Sequence, residues 1–177
     1  MKNNLLCILV CLLSFSACKK SKTTTTTPTN NINNAAIAGN WTLTNMTQTN
    51  GVYKENGVQI GTYTTTSSNH VGGFLLNADG TFTSNVGYDY EISSIFPPDP
   101  SVWVDTDNVP SVSTAGTFTY NTSTKKLAFK VGAQTVEYTV QSLASHNLEL
   151  TIYTSFSDNS SGVLEESMNT THLYFTK

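Results

Sequence analysis

Arginine is absent from this 177-residue chain: all nine basic residues are lysine, set against twelve Asp and Glu for a formal net charge of −3. Without the planar guanidinium fork there is no bidentate clamp for phosphate or carboxylate, and without a basic excess there is no electrostatic footprint for nucleic acid. Charge of either sign is scarce, at 12% of residues, so Thr, Ser and Asn must supply the polar surface. Cysteine is nearly missing too. Cys7 and Cys11 fall within an N-terminal apolar run, which leaves Cys18 alone further on; no internal disulfide, catalytic thiol or cysteine zinc site is expected. The longest apolar run, Leu5 to Phe15, is far shorter than the roughly 20 residues a membrane-spanning helix requires. Neither a Gly-x-Ser-x-Gly elbow nor a phosphate-binding glycine loop occurs.

The N-terminal run has its own meaning. Met1-Lys2 give a small positive start, the apolar residues follow, and Ser16-Ala17 are the small residues that precede a cut, which is the layout of an export signal. Phe15-Ser16-Ala17-Cys18 resembles the lipobox of bacterial lipoproteins, with Phe15 where Leu is usual. The resemblance implies cleavage before Cys18 and acylation of Cys18 with chains such as palmitate, so that the protein is held on a membrane without spanning it. Removing Lys2 with the signal leaves eight lysines against the same twelve acids.

Lys19-Lys20-Ser21-Lys22, the threonines Thr23 to Thr27 and the Asn-rich stretch that follows have almost no apolar content. Such a segment cannot offset the entropy of ordering and is expected to be a flexible tether. The expected organisation is a signal over 1–17, a lipidated cysteine and tether over 18–37, and one domain over 38–177. In some Gram-negative lipoproteins an acidic run after the cysteine goes with surface display. The run here is basic, which points to the periplasmic face of the outer membrane.

From Gly39 onward, short alternating runs are broken by turn residues. Threonine occurs 29 times, and its branched Cβ favours strands. Trp41 and Leu43 share one face; Phe74-Leu75-Leu76, the turn Asn77-Ala78-Asp79-Gly80 and Thr81-Phe82-Thr83 predict a hairpin. Phe118 and Tyr120, then Leu127, Phe129 and Val131, then Val136, Tyr138 and Val140, then Leu148, Leu150 and Ile152 recur at every second position. Val52 to Thr66 adds one or two strands, and Leu164 to Met168 allows at most one helical turn. The fold class is all-β: an antiparallel up-and-down barrel of about eight to ten strands, which closes exposed sheet edges. Alternation alone leaves a β-sandwich open as the alternative.

Ala36-Ile37-Ala38-Gly39-Asn40-Trp41-Thr42-Leu43 resembles the Gly-x-Trp first strand of lipocalins, in which the tryptophan plugs the closed end of the barrel. Asn77 to Thr83, Gly116 to Tyr120, Lys126 to Phe129 and Tyr138 to Thr151 are similar to bacterial lipocalin-like domains on lipoproteins. The resemblance implies a barrel with room for one small apolar or amphipathic ligand. The arginine that packs on that tryptophan in lipocalins has no counterpart here.

Candidate ligand-binding residues are Phe82, Phe118, Tyr120, Phe129 and Tyr138, expected as an inward layer, with Tyr88, Tyr90 and Trp103 on a proline-stiffened loop from Asn85 to Pro110. An eight-stranded barrel is wide enough either to be filled by such side chains or to hold one small molecule, and aromatics on a loop offer flat faces for a sugar ring or a protein. No catalytic set is expected: His70, His146 and His172 lack ligand spacing, and the pairs Asp89/Glu91 and Asp105/Asp107 supply too few oxygens for calcium. The expected protein is a monomeric, non-enzymatic, membrane-anchored binding protein without cofactor or metal. The alternatives are glycan or protein binding through Asn85 to Pro110, or a filled structural barrel.

Overall fold

The alternating runs resolve into eleven antiparallel strands. A computed structural model describes residues 31–177 of the chain, so the expected signal, Cys18 and most of the tether lie outside the described residues. The strands are β1 (Gly39–Glu55), β2 (Val58–Val71), β3 (Gly73–Leu76), β4 (Thr81–Ser84), β5 (Gly87–Phe96) and β6 (Asp99–Val109), then β7 (Thr114–Asn121), β8 (Lys126–Val131), β9 (Gln134–Leu143), β10 (Asn147–Asp158) and β11 (Glu165–Thr176). β11 pairs with β1 and closes a barrel that runs β1-β3-β4-β7-β8-β9-β10-β11. The expected antiparallel up-and-down barrel is therefore the observed architecture, and its form is lipocalin-like. Leu164 to Met168 makes no helical turn; Glu165 already opens β11.

More strands are found than expected because three long strands are each broken once. β2 and β3 both pair with β1, β5 and β4 pair with β2 and β3, and β6 and β7 pair with β5 and β4. The breaks fall at Gly72, at Asn85-Val86 and at 110–113. Gly72 sits at φ +68°, in the left-handed region that glycine enters freely, and its carbonyl accepts from the Leu43 N–H. Next to it, a Cβ on Gly73 would lie 1.8 Å from the Trp41 carbonyl oxygen, so only glycine lets β3 approach β1 this closely.

These breaks divide the barrel into two halves. In the closed half, Ile37, Trp41, Leu76, Leu127, Leu148, Leu150 and Phe175 are almost fully buried. Trp41 donates its indole N–H to the Ile37 carbonyl at 2.8 Å, which satisfies the one polar atom of a 0% exposed side chain. Beneath it, residues at the end of the expected tether lie against the barrel. Ile32 bridges to Asn121, the Asn33 N–H donates to the Tyr120 carbonyl, and the Asn34 side chain accepts from the Tyr120 N–H.

The other half is open on one side. β9 and β10 pair only from Leu148–Leu143 up to Thr151–Thr139; beyond that, β10 has no neighbour on its β9 side among the described residues. β6 is the other free edge, paired with β5 alone. Six strands, in the order β10-β11-β1-β2-β5-β6, thus form a curved wall whose inner face looks out between β6 and β10.

Candidate functional site

Most of the expected inward layer is core. Phe82, Phe118, Tyr120, Phe129 and Tyr138 are all buried. The Phe129 ring lies 4.8 Å from Phe82, 6.2 Å from Phe118, 5.9 Å from Tyr138 and 5.0 Å from Phe74. Edge-on and offset packing of this kind contributes about 0.5–1.5 kcal/mol per pair beyond burial. These rings spend their faces on one another, so they fill the closed half.

The inner wall of the open half differs in chemistry. Ladder register places Tyr53, Gln48, Tyr63, Thr65, Ser94, Ser167, Asn169 and Thr171 on the same inward face, and all eight are buried. Thr65 donates to Gln48 at 2.8 Å, and Gln48 donates to Thr171 at 3.4 Å. Asn169 accepts from Thr154 and Thr171 at 3.0 Å each and donates to the Tyr63 hydroxyl at 2.9 Å. A buried amide with one partner missing would cost about 1–3 kcal/mol, so the closure of this network matters. Tyr53 stacks on Tyr63 at 4.6 Å and on Phe96 at 5.4 Å. Burial pushes the hydroxyl pKa of both tyrosines up.

The section from Asn85 to Pro110, expected as a loop, is the β5–β6 hairpin with its flanking links. Tyr88, Tyr90, Ile92 and Ser94 alternate inward on β5 with Asp89, Glu91 and Ser93 between them, a period of two that is present in the sequence. Tyr88 and Tyr90 are buried, whereas Trp103 is 61% exposed. The structure therefore separates the three candidates: two belong to the wall and one to its rim. Tyr138 is buried and its pKa pushed up to about 12. Tyr90 also rises to about 12, from burial first and then from the carboxylates of Asp107 and Asp105. The Tyr88 hydroxyl is buried without a hydrogen-bond partner among the described residues, whereas most buried hydroxyls are paired.

Register puts Trp103, Asp105 and Asp107 of β6 opposite Ser94, Ile92 and Tyr90, on the inner face. Across the opening, Ile152, Thr154 and Phe156 of β10 face the same way, opposite Thr171, Asn169 and Ser167. The site is thus a wall of hydroxyl, amide and aromatic groups with an indole at its rim. A separate groove of about 550 Å³, lined in part by Gly72, Gly73, Phe74, Ser84 and Thr114, lies where the broken strands part.

The histidines stay apart. His70 meets Ser67 at 2.6 Å, with burial lowering its pKa; His146 meets Ser145 at 2.8 Å; His172 lies 3.3 Å from Glu149 and 3.4 Å from Thr49. Asp89 accepts from Asn69. Among the described residues no group of three or more His, Cys, Asp or Glu could hold a metal ion, and no helix is long and apolar enough to cross a membrane. Sequence reasoning missed Gln48, Thr65, Asn169 and Thr171 because polar residues in a strand read as surface. The available signal was parity: Ser167, Asn169 and Thr171 continue the every-second-residue row of Leu173 and Phe175.

No family model matches the chain, and no curated protein or solved structure matches it.

Proposed function

We propose that this chain is a non-enzymatic, lipocalin-like binding protein, anchored to the outer membrane through acylated Cys18 on the periplasmic side, that takes a small amphipathic molecule at the open half of its barrel. The observation that carries the reading is the division of the interior. The closed half is filled by rings packed on one another, while the open half has a hydroxyl- and amide-lined wall that includes the buried Tyr88 hydroxyl, unpaired among the described residues, and carries the exposed Trp103 at its rim. Preformed sites of this type bury an apolar ligand body and fix its orientation with a few polar groups. Here Phe96, Phe156 and Trp103 supply apolar surface, and Tyr88 and Ser94 supply polar groups.

The packing of Phe129 against four rings favours one second reading, in which the barrel is wholly filled and the protein is structural. A third, in which the β5–β6 hairpin binds glycan or protein, rests on the exposed indole of Trp103. Native mass spectrometry separates them. A Cys18→Ser protein purified without detergent is expected to carry, or take up, a defined small mass that organic solvent releases. A bare mass that takes up neither fatty acids nor apolar amines would sink the proposal in favour of the filled barrel. Quenching of Trp103 emission by soluble oligosaccharides would move the reading to the hairpin.

A further inference from the structure

β6 is a free sheet edge that the protein has blunted toward its end and left open over Val102–Val104. Near its start, Asp99 accepts from the Ser101 N–H at 2.9 Å. Near its end, Asp105 accepts from the Thr106 N–H at 2.9 Å and Asp107 from the Asn108 N–H at 2.7 Å. Asp105 and Asp107 each occupy a backbone donor that a passing strand would otherwise use, a device that discourages edge-to-edge aggregation, whereas the Asp99 cap lies where Pro100 and Ser101 fall out of the ladder. In an antiparallel pair, alternate residues turn their N–H and C=O groups outward. The outward groups of Thr106 and Asn108 therefore fix the same direction for those of Val102 and Val104. Among the described residues no side chain caps these two. Val102, Trp103 and Val104 are 57%, 61% and 58% exposed, so both faces of this short stretch stand in solvent.

We infer that Val102–Val104 is a docking edge for an extended, basic segment of a protein partner, which adds to the wall as a further strand. Charge selects the partner. β5 and β6 carry Asp89, Glu91, Asp99, Asp105 and Asp107 and no lysine. Two copies of β6 laid antiparallel would bring six aspartates into one seam, so a second copy is disfavoured. Register specifies the pattern further. Trp103, Asp105 and Asp107 lie on the inner face and Val102 and Val104 on the outer, beside Ile95. A matching strand alternates, with basic side chains over Trp103 and the aspartates and aliphatic ones against the valines. Backbone bonds then supply binding and the alternating side chains supply specificity. This edge borders the inner wall proposed for the small molecule and shares Trp103 with it.

The test titrates the purified full-length protein with an acetylated and amidated Thr-Val-Lys-Val-Lys-Val-Thr peptide. Trp103 emission is the readout, because Trp41 is fully buried. Saturable binding is expected, weakened about tenfold by Val104→Pro, which deletes an outward N–H that edge strands can spare. The double variant Asp105→Asn/Asp107→Asn keeps a side-chain oxygen for each cap while removing charge; it should weaken binding and flatten its salt dependence. If Val104→Pro unfolds at a much lower temperature than the parent, Val102→Pro replaces it. Failure of the peptide to bind, equal binding by the Pro variant, or equal binding of a peptide with Glu in place of Lys would each overturn the inference. A dimer in sedimentation that Val104→Pro abolishes would also overturn it, by giving the edge to a second copy.

Discussion

The ε-ammonium of Lys177 stands 4.4 Å from the centre of the Trp41 ring, and the same nitrogen donates to the Ala38 carbonyl at 2.7 Å. The chain has no arginine, and no partner for this tryptophan was expected; Lys177 makes that contact. The contact is local as well as electrostatic, because a Cβ on Gly39 would lie 2.1 Å from the Lys177 side chain. Replacing Lys177 with Ala should cost about 0.5–1 kcal/mol, the range of an exposed cation–π contact. Trp41→Ala, which empties the floor of the core, should cost about 3–5 kcal/mol. Urea unfolding of the two variants measures both; a Lys177→Ala loss as large as that of Trp41→Ala would contradict the assignment.

Gly73→Ala is expected to be among the most damaging single-methyl changes in the chain. The added carbon meets the Trp41 carbonyl oxygen at 1.8 Å, a backbone atom that can move only if β1 and β3 separate. Gly132→Ala is the control: it has φ +58° with open space around the new carbon, and should cost only about 1 kcal/mol of left-handed strain. Thermal unfolding should rank Gly73→Ala far below it.

Asn169 ties three strands together through Thr154, Thr171 and Tyr63. Asn169→Ala leaves the buried Thr171 hydroxyl without its acceptor and Tyr63 without one of its donors, and should cost about 1–3 kcal/mol. A matched apolar replacement of both Asn169 and Tyr63, Asn169→Leu with Tyr63→Phe, should recover part of that loss, and a double-mutant cycle reads the coupling.

Alkaline titration follows from the buried tyrosines. Tyr90 and Tyr138 have folded pKa values pushed up to about 12, above the ordinary value near 10. Stability from keeping them neutral is fully present below pH 10 and is lost as pH rises through about 12. Ultraviolet titration should show a late tyrosinate phase that coincides with loss of near-ultraviolet dichroism. Ionisation of every tyrosine near pH 10 in the folded state would refute the burial argument.

Trp103→Ala should change stability by no more than about 0.5 kcal/mol, since the indole is mostly in solvent. Its emission should be lost at long wavelength, leaving the blue-shifted signal of buried Trp41. A large stability loss would mean that the indole packs inside the opening instead of standing at its rim.

The sequence and the structure agree where alternation ran uninterrupted. The hairpin around Asn77 to Gly80 and the rows Phe118/Tyr120, Leu127/Phe129 and Leu148/Leu150 were legible because one apolar side chain in two must leave water, and a period of two permits only a strand. The candidate site was less legible. Phe82, Phe118, Phe129 and Tyr138 were found as a group, but whether rings pack on one another or on a ligand depends on distances across the barrel. The buried Gln48, Thr65 and Asn169 were missed because burial of a polar side chain is worthwhile only when its partners are in place, and those partners lie up to 123 residues away.

Two Asn-Gly pairs mark the boundary between these levels. Asn56-Gly57 and Asn50-Gly51 look alike in the sequence. Asn56-Gly57, with φ +48° and +81°, is the tight turn between β1 and β2. Asn50, at φ +54°, lies inside β1, where register shifts on both sides make a bulge and a Cβ on Gly51 would meet the Tyr63 carbonyl at 2.4 Å. Local chemistry by itself determined that both places could take positive φ, that the chain would form alternating strands, and that its core would be aromatic and free of disulfides. Only the tertiary structure decided which pair turns and which bends, that Lys177 covers Trp41, and that the barrel stays open between β6 and β10. Those outcomes are set by which strands run alongside one another, and that depends on contacts between residues far apart in the chain.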